Sequence, residues 1–335
     1  MKITLPLQQL PESTDDRHQM IADYFSGKEY RLDFIGEMVD IHLTWPKNEL
    51  YYIDEKLEDG LKWWGNKLTV GGIPYAVQEK PFYQFSLNDN WTLHAWSKWL
   101  DAKVQKGKDV KKVIILHVDD HRDCMSPLLF AKGTNSYFDP LTGKPVSMSK
   151  PESIISAIES GAIAVGSFMP IFFHHIPNIE FRHLLPTHRM ATAYQVGGIK
   201  IDFEKDDLLC PECDRPNMIF EDQTENSKMY YPTADLTTFM ADIPTDVPVI
   251  LHVDMDYFNN RFDGDSDWQM HSVIHDPKKE RVLDQVSEVF GCILRSIPRS
   301  QLENVSIALS PGFFPVEFWD EATAIIDLKF KENDQ

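Results

Sequence analysis

Cysteine is scarce in this sequence, with four in 335 residues, which is no basis for a disulfide framework. Long hydrophobic runs are missing. The longest apolar stretch, 161–176, is broken by Ser167, Pro170, His174 and His175, so it is too short and too polar for a bilayer span. The opening Met1-Lys2-Ile3-Thr4-Leu5-Pro6 has no continuous apolar core and is followed by Glu12, Asp15 and Asp16. A secretory signal is therefore not expected, and a cytoplasmic location is. Positive charge is in deficit: 33 Lys and Arg stand against 52 Asp and Glu, a formal net charge of −19. Such a surface repels phosphate backbones and anionic lipids, which argues against nucleic acid and membrane partners. It would attract a cationic substrate, or would serve only solubility. Internal repeats and low-complexity tracts are also missing. What remains is ordinary globular composition, 42% hydrophobic and 25% charged, in a chain long enough to bury a sizeable core.

Two phrases stand out. Val113-Ile-Ile-Leu-His117-Val-Asp119-Asp-His121-Arg-Asp123 and Val249-Ile-Leu-His252-Val-Asp254-Met-Asp256 are short apolar runs that break into acids at their C-terminal ends. That is where open parallel α/β sheets place ligands. Side chains alternate along a strand. If the backbone stays extended, Asp119, His121 and Asp123 converge on one side, as do Asp254 and Asp256, while Asp120, Arg122 and Met255 point away. So many carboxylates cannot coexist ionised in one crevice without a cation. Oxygen-rich ligation with an imidazole suits manganese, and two such ions about 3.5–4 Å apart define a familiar hydrolytic arrangement. The alternative, that each acidic strand end is only a turn or cap, is weaker for two such ends than for one. Asp263-Gly-Asp265-Ser-Asp267 imitates the start of a calcium loop, but Ile274 stands where a bidentate acid belongs.

The surrounding pattern predicts helices at 91–100 (opened by a cap at Asn88-Asp89-Asn90), 153–160, 280–295 and 316–329. It predicts strands at 113–118, 248–253 and 305–309, with further strands within 30–45 and 50–53. Residues 162–173 read as a buried strand followed by a loop, and 178–245 as an irregular insertion near the site. The alternation argues for a mostly parallel sheet with helices on both faces, in one α/β domain over 1–335 with residues 1–80 as an N-terminal edge segment.

Asp119-Asp-His121-Arg-Asp123 and Asp254-Met-Asp256 resemble the two metal motifs of the arginase-type ureohydrolases in order and separation. The Leu-His-Val-Asp wording before each motif, and Trp91-Thr-Leu-His94 leading into a helix, look more like the divergent branch of peptide arginases. The likeness rests on residues 90–125, 247–268 and 305–317. It implies an arginase-like α/β/α sandwich holding two Mn2+ ions. His94, Asp119, Asp123 and Asp254 would hold one ion and Asp119, His121, Asp254 and Asp256 the other, with Asp119 and Asp254 bridging. His117 and His252 would support the ligands by hydrogen bonds or be satisfied core histidines.

The implied activity is conversion of arginine side chains in a ribosomal precursor peptide to ornithine, with release of urea. His174 and His175 are candidate proton donors. Glu317, Asp265 and Asp267 are candidate partners of the guanidinium, or else solvated surface charges. The residue set that grips free arginine's α-carboxylate and α-amine is not found, which favours an arginine embedded in a peptide. A small-molecule ureohydrolase, a deacetylase of the same fold and a non-catalytic, metal-stabilised peptide-binding protein are the alternatives. A tandem histidine before the first metal motif marks the deacetylases; here His174-His175 follows it. Cys210-Pro-Glu-Cys213 is half of a zinc site that His183 and His188 could complete, or a reduced pair. The sequence does not set the oligomeric state.

Overall fold

The computed structural model describes residues 1–25, 28–44, 53–133, 135–191, 194–222, 227–262 and 276–334. In chain order the elements are β1 (Lys2–Pro6), α1 (Thr14–Tyr24), β2 (Glu29–Ile35), β3 (Met38–Thr44), α2 (Leu57–Trp64), β4 (Val77–Glu79), β5 (Gln84–Ser86), α3 (Trp91–Gln105) and β6 (Lys112–Val118). Next come β7 (Phe130–Ala131), β8 (Tyr137–Asp139), β9 (Lys144–Val146), α4 (Pro151–Ser160), α5 (Met169–His175), β10 (Asn178–Leu184), β11 (Gly197–Lys205), β12 (Asp214–Glu221) and β13 (Lys228–Thr233). The chain ends with α6 (Leu236–Met240), β14 (Val249–Asp254), α7 (Lys279–Ser296), β15 (Leu302–Ala308) and α8 (Trp319–Asn333).

Nine of the described strands form one sheet in the order β12-β11-β13-β10-β6-β14-β15-β5-β4. The six inner strands from β13 to β5 all run parallel. Antiparallel β12-β11 and β4 complete the two edges. Alternation along each inner strand sends side chains into two separate cores. Val113, Ile115, Ile179, Phe181 and Ile250 meet α3, α4 and α5 on one face. Ile114, Leu116, Leu184, Leu251 and Val253 meet α2, α6, α7 and α8 on the other. Helices thus cover both faces, as the strand–helix alternation predicts. Such double burial explains why β6 and β14 read as continuous apolar runs.

Local rules account for the helices. α4 opens on Pro151 and stops at Gly161, whose φ of 76° is the left-handed conformation that glycine adopts freely. α7 buries Val282, Val286, Val289, Phe290 and Ile293, a stripe of helical spacing.

Two expectations need correction. Residues 178–245 are no insertion: they supply β10, β11, β12 and β13 of the main sheet. The apolar segment expected as a strand within 162–173 forms turns and then α5, with Pro170 in its first turn, where a missing N–H costs nothing. The N-terminal strands β1, β3 and β2 form their own antiparallel sheet, packed on the face that carries α3. Of 50–53, residues 50–52 lie outside the described residues.

Candidate metal centre

β6 and β14 are direct neighbours, in register at His117↔His252 and Val118↔Val253. Their acidic ends therefore emerge side by side. The carboxylates do not converge by continued extension, as the alternation rule supposes. Both chains turn at once. The Asp119 carboxylate accepts from His121 N–H at 2.6 Å, and Asp254 accepts from Asp256 N–H at 3.2 Å, opening a short 3-10 turn over Met255–Tyr257. Aspartate favours such turns because its side chain can imitate the backbone acceptor. Asp123 then sits at φ 56°, a left-handed conformation that an aspartate tolerates at a cost and that concentrates at functional sites.

Potential ligand atoms of Asp119, Asp123, His117 and His252 lie within 4.8 Å of one another, and so do those of Asp119, His121 and Asp256. His121 Nδ1 stands 3.1 Å from Asp256 Oδ2 and 3.7 Å from Asp119 Oδ1. Asp254 accepts from Ser310 Oγ at 2.6 Å; Ser310 closes β15 in the left-handed region, at φ 45°.

Sequence reasoning read Asp89 only as part of a helix cap. It is 1% exposed and joins the same electrostatic field, since the charges of Asp123 and Asp256 act on it. One of its oxygens accepts from Gly166 N–H at 2.8 Å. The expected side-chain cap of α3 is not formed; Asn90 instead donates to Ile163 C=O at 3.0 Å. Asp89 follows the C-terminal end of β5 just as Asp119 follows β6. The strand-end rule would have found it had so short a strand been legible.

Burial pushes the carboxyls of Asp89, Asp119 and Asp254 well above the usual range, and the charges of Asp123 and Asp256 add to the effect on each. Asp256 is raised by burial against the opposing pull of His121, and Asp123 is raised by burial to about 6. Burial alone would lower the His121 imidazole, but its bond to Asp256 and the charges of Asp256, Asp123 and Asp120 lift it to about 10. Asp89 Oδ1, Asp119 Oδ2 and Asp123 Oδ2 are buried acceptors with no hydrogen-bond partner among the described residues. Buried carboxylates of this kind demand a counter-charge, and an oxygen-rich donor set with one flanking imidazole fits a divalent cation. The cluster could hold a metal ion.

Beneath the acids lies a row of imidazoles. His183 on β10 is in register with His117, which is in register with His252. All three are fully buried, and burial holds their pKa values down, to about 3 for His117. They are therefore neutral, and their acceptors fix the tautomers. His117 Nε2 lies 2.9 Å from the His121 carbonyl, which can only accept, so Nε2 carries the proton. His117 Nδ1 must then accept from His252 Nδ1–H, 2.9 Å away. His183 donates from Nε2 to the Asp119 carbonyl at 3.1 Å and meets Tyr230 Oη at 2.9 Å. Both bonds to carbonyls hold the backbone of the acidic turn. His117 and His252 thus lie under the cluster, and His183 joins them.

Other predicted residues stand apart. His94 faces β5, 3.2 Å from Gln84 Oε1 and edge-on to Trp91; it falls on α3 beyond the turn that delivers Asp89. His174 and His175 occupy the far end of α5, which runs from the Asp123 backbone toward the start of β10. His174 bonds to Asn217 C=O at 2.8 Å. The Glu317 carboxylate is occupied by Arg261, at 2.8 Å, and by Lys56. Asp265 and Asp267, and with them the calcium-like phrase, lie outside the described residues.

Two intervening residues have definite partners. Asp120 is gripped by Arg189 Nε and Nη2 at 2.9 and 2.5 Å and by Asn260 Nδ2 at 2.8 Å. The Arg122 guanidinium lies 4.2, 4.5 and 5.3 Å from the ring centres of Tyr194, Phe220 and Tyr230. Met255 is buried in the opposite core.

Cys210 and Cys213 form a disulfide with each other, so neither the zinc site nor the reduced pair is found. The tight turn from Cys213 N–H to Cys210 C=O brings them together, while His183 is locked in the core and His188 faces Asp120. Among the described residues, no helix is long and apolar enough to cross a membrane.

Fold and site together define an α/β protein with a mostly parallel sheet and a buried aspartate–histidine cluster at its strand ends. No protein-family model matches the chain, and no curated protein matches it.

Proposed function

We propose that this protein is a two-manganese hydrolase of arginase type, acting on arginine side chains within a peptide to yield ornithine and urea. The observation that carries the reading is the convergence of Asp119, His121, Asp123 and Asp256 beside Asp89 and Asp254, with three buried carboxylate oxygens lacking a hydrogen-bond partner among the described residues. Asp89 takes the ligand role that the family resemblance gave to His94. Asp119, lying between both groups of ligand atoms, is the natural bridge.

When bound, manganese would supply Lewis acidity and lower the pKa of water at the site. The chain's own residues supply orientation. His117 and His183 fix the Asp119–His121 backbone through its carbonyls, and Ser310 fixes one oxygen of Asp254. Arg189 and Asn260 anchor Asp120, which sets the direction of the acidic turn. The acid-lined crevice favours a cationic guanidinium over a neutral amide. Arg261, held between Asp276 and Glu317, is an example within the chain of a guanidinium paired with two carboxylates.

The test is mass spectrometry of arginine-containing peptides incubated with manganese-loaded protein. Loss of CH2N2 per modified arginine, with free arginine and agmatine unchanged, is the expected result. Turnover of the free guanidines alone would replace the peptide reading with a small-molecule one. No change in any guanidine would refute hydrolysis of this bond.

A further inference from the structure

A second feature lies at the other end of the sheet. α3 begins beside Asp89 and runs back along the sheet, so its last turns meet the start of β15. There the surface is indented by a groove of about 590 Å3, lined by Lys80, Lys98, Lys103, Lys106, Lys108 and Arg299, with Glu79 and Glu303 as its acids. Six cations against two carboxylates leave a local excess of four positive charges, on a chain whose net charge is −19. The two acids are already engaged. Glu79 pairs with Lys98 at 2.6 Å. Glu303 pairs with Lys103 and accepts from Trp99 Nε1 at 2.7 Å. Lys80, Lys106, Lys108 and Arg299 have no carboxylate partner among the described residues. Arg299 lies over the Phe82 ring, 5.8 Å from its centre, and Trp99 carries Lys103 in the same way. The groove is thus a basic trough with aromatic walls.

We infer that this groove docks an acidic segment of the peptide whose arginine enters the carboxylate crevice; the inference rests on the peptide reading above. Three observations favour a short acidic peptide over a nucleic acid. The field of the whole molecule repels a long polyanion, whereas a short segment meets only the local excess. The cations are mostly lysines strung along one helix end and two loops, which suits spaced carboxylates better than a compact phosphate. β4, the last strand of the sheet on this side, contributes Glu79 to the groove, so main-chain groups lie beside it for an extended chain. Leu302–Val305 of β15 line the groove, and the steps from Val305 to Ser310, which holds Asp254, place the crevice roughly 15 Å away. An extended chain needs roughly five residues or more to cover that distance. The substrate is therefore bipolar, with acids well removed in sequence from the arginine.

The experiment is fluorescence anisotropy of labelled hexaglutamate with the full chain at low salt, compared with the double variant Lys106→Glu/Lys108→Glu. Both lysines are exposed, and neither belongs to the carboxylate crevice. Saturable binding, weakened at least about tenfold in the variant and by added salt, is the expected result, with metal content by mass spectrometry unchanged. No saturable binding, or binding indifferent to the double reversal, would overturn the inference. So would displacement by tripolyphosphate at lower concentration than by unlabelled hexaglutamate, which would mark a phosphate site. Anisotropy does not depend on turnover. A protein that binds hexaglutamate through these lysines but leaves arginine unchanged would refute the hydrolytic reading and not the groove.

Discussion

At the scale of single residues, the proposed ligand set turns on Asp89. It is buried, shares the field of Asp123 and Asp256, and has one oxygen with no hydrogen-bond partner among the described residues. His94 is engaged with Gln84 and Trp91 instead. Asp89→Asn is expected to weaken metal binding by at least about tenfold, whereas His94→Ala keeps the full metal content. Titration calorimetry with Mn2+ checks both. Equal affinity in Asp89→Asn and the unaltered protein would remove Asp89 from the set. That His183, His117 and His252 form one row is visible only once three strands are known to be neighbours. The sequence shows the last two because each precedes an aspartate by two positions. It hides His183, whose strand, Asn-Ile-Glu-Phe-Arg-His-Leu, mixes charge into a buried run. That charge is satisfied within the fold, since Arg182 pairs with Glu180 and donates to the carbonyls of Phe239 and Ala241.

The same reason governs what was legible in the elements. β6 and β14 could be read because they are buried on both faces and end in acids. α7 could be read because its apolar stripe is long. β10 to β13 were missed because their polar residues look like those of loops until their partners are seen. α5 was missed because seven residues rich in phenylalanine carry no period that separates helix from strand. The hairpin of β11 and β12 is tied to the site by Arg122, whose guanidinium lies among Tyr194, Phe220 and Tyr230. Arg122→Gln removes the cation from these rings and is expected to lower stability by about 1–2 kcal/mol. A urea titration followed by near-ultraviolet circular dichroism reads this, and an unchanged midpoint would show that the cage carries no net stability.

For the whole molecule, the proposed metal site sets protons and metal in competition for the same oxygens. The buried acids have raised pKa values, Asp123 at about 6, so the folded, metal-free protein keeps protons that the unfolded chain releases near pH 4. Their contribution to stability is present at low pH and is lost as pH rises through the folded values. The buried histidines run the other way. His94 is held down by burial to about 4, so the unfolded chain gains protons below about pH 6.5 that the fold refuses. These terms oppose each other in the metal-free protein. The histidine terms are the same with and without the ion and cancel in the increment that metal adds, whereas the carboxyls must give up their protons to bind it. The rise in melting temperature produced by Mn2+ is therefore expected to be larger at about pH 7.5 than at about pH 5.5, with protons released on binding at the lower pH. Scanning calorimetry with and without the ion at both values checks the sign, and a larger rise at the lower pH would contradict it.

The acids that face one another come from three distant stretches: residue 89 after β5, residues 119–123 after β6, and residues 254–256 after β14. More than 160 residues separate the first from the last. Contacts of such long range are closed late, because the intervening chain must be ordered first. A ribosome must deliver the chain through β15, so that β14 can sit between β6 and β15, before the crevice exists. On the proposed reading, chains that stop short of β15 would not capture the ion. Metal loading would then be a checkpoint that synthesis has passed β15.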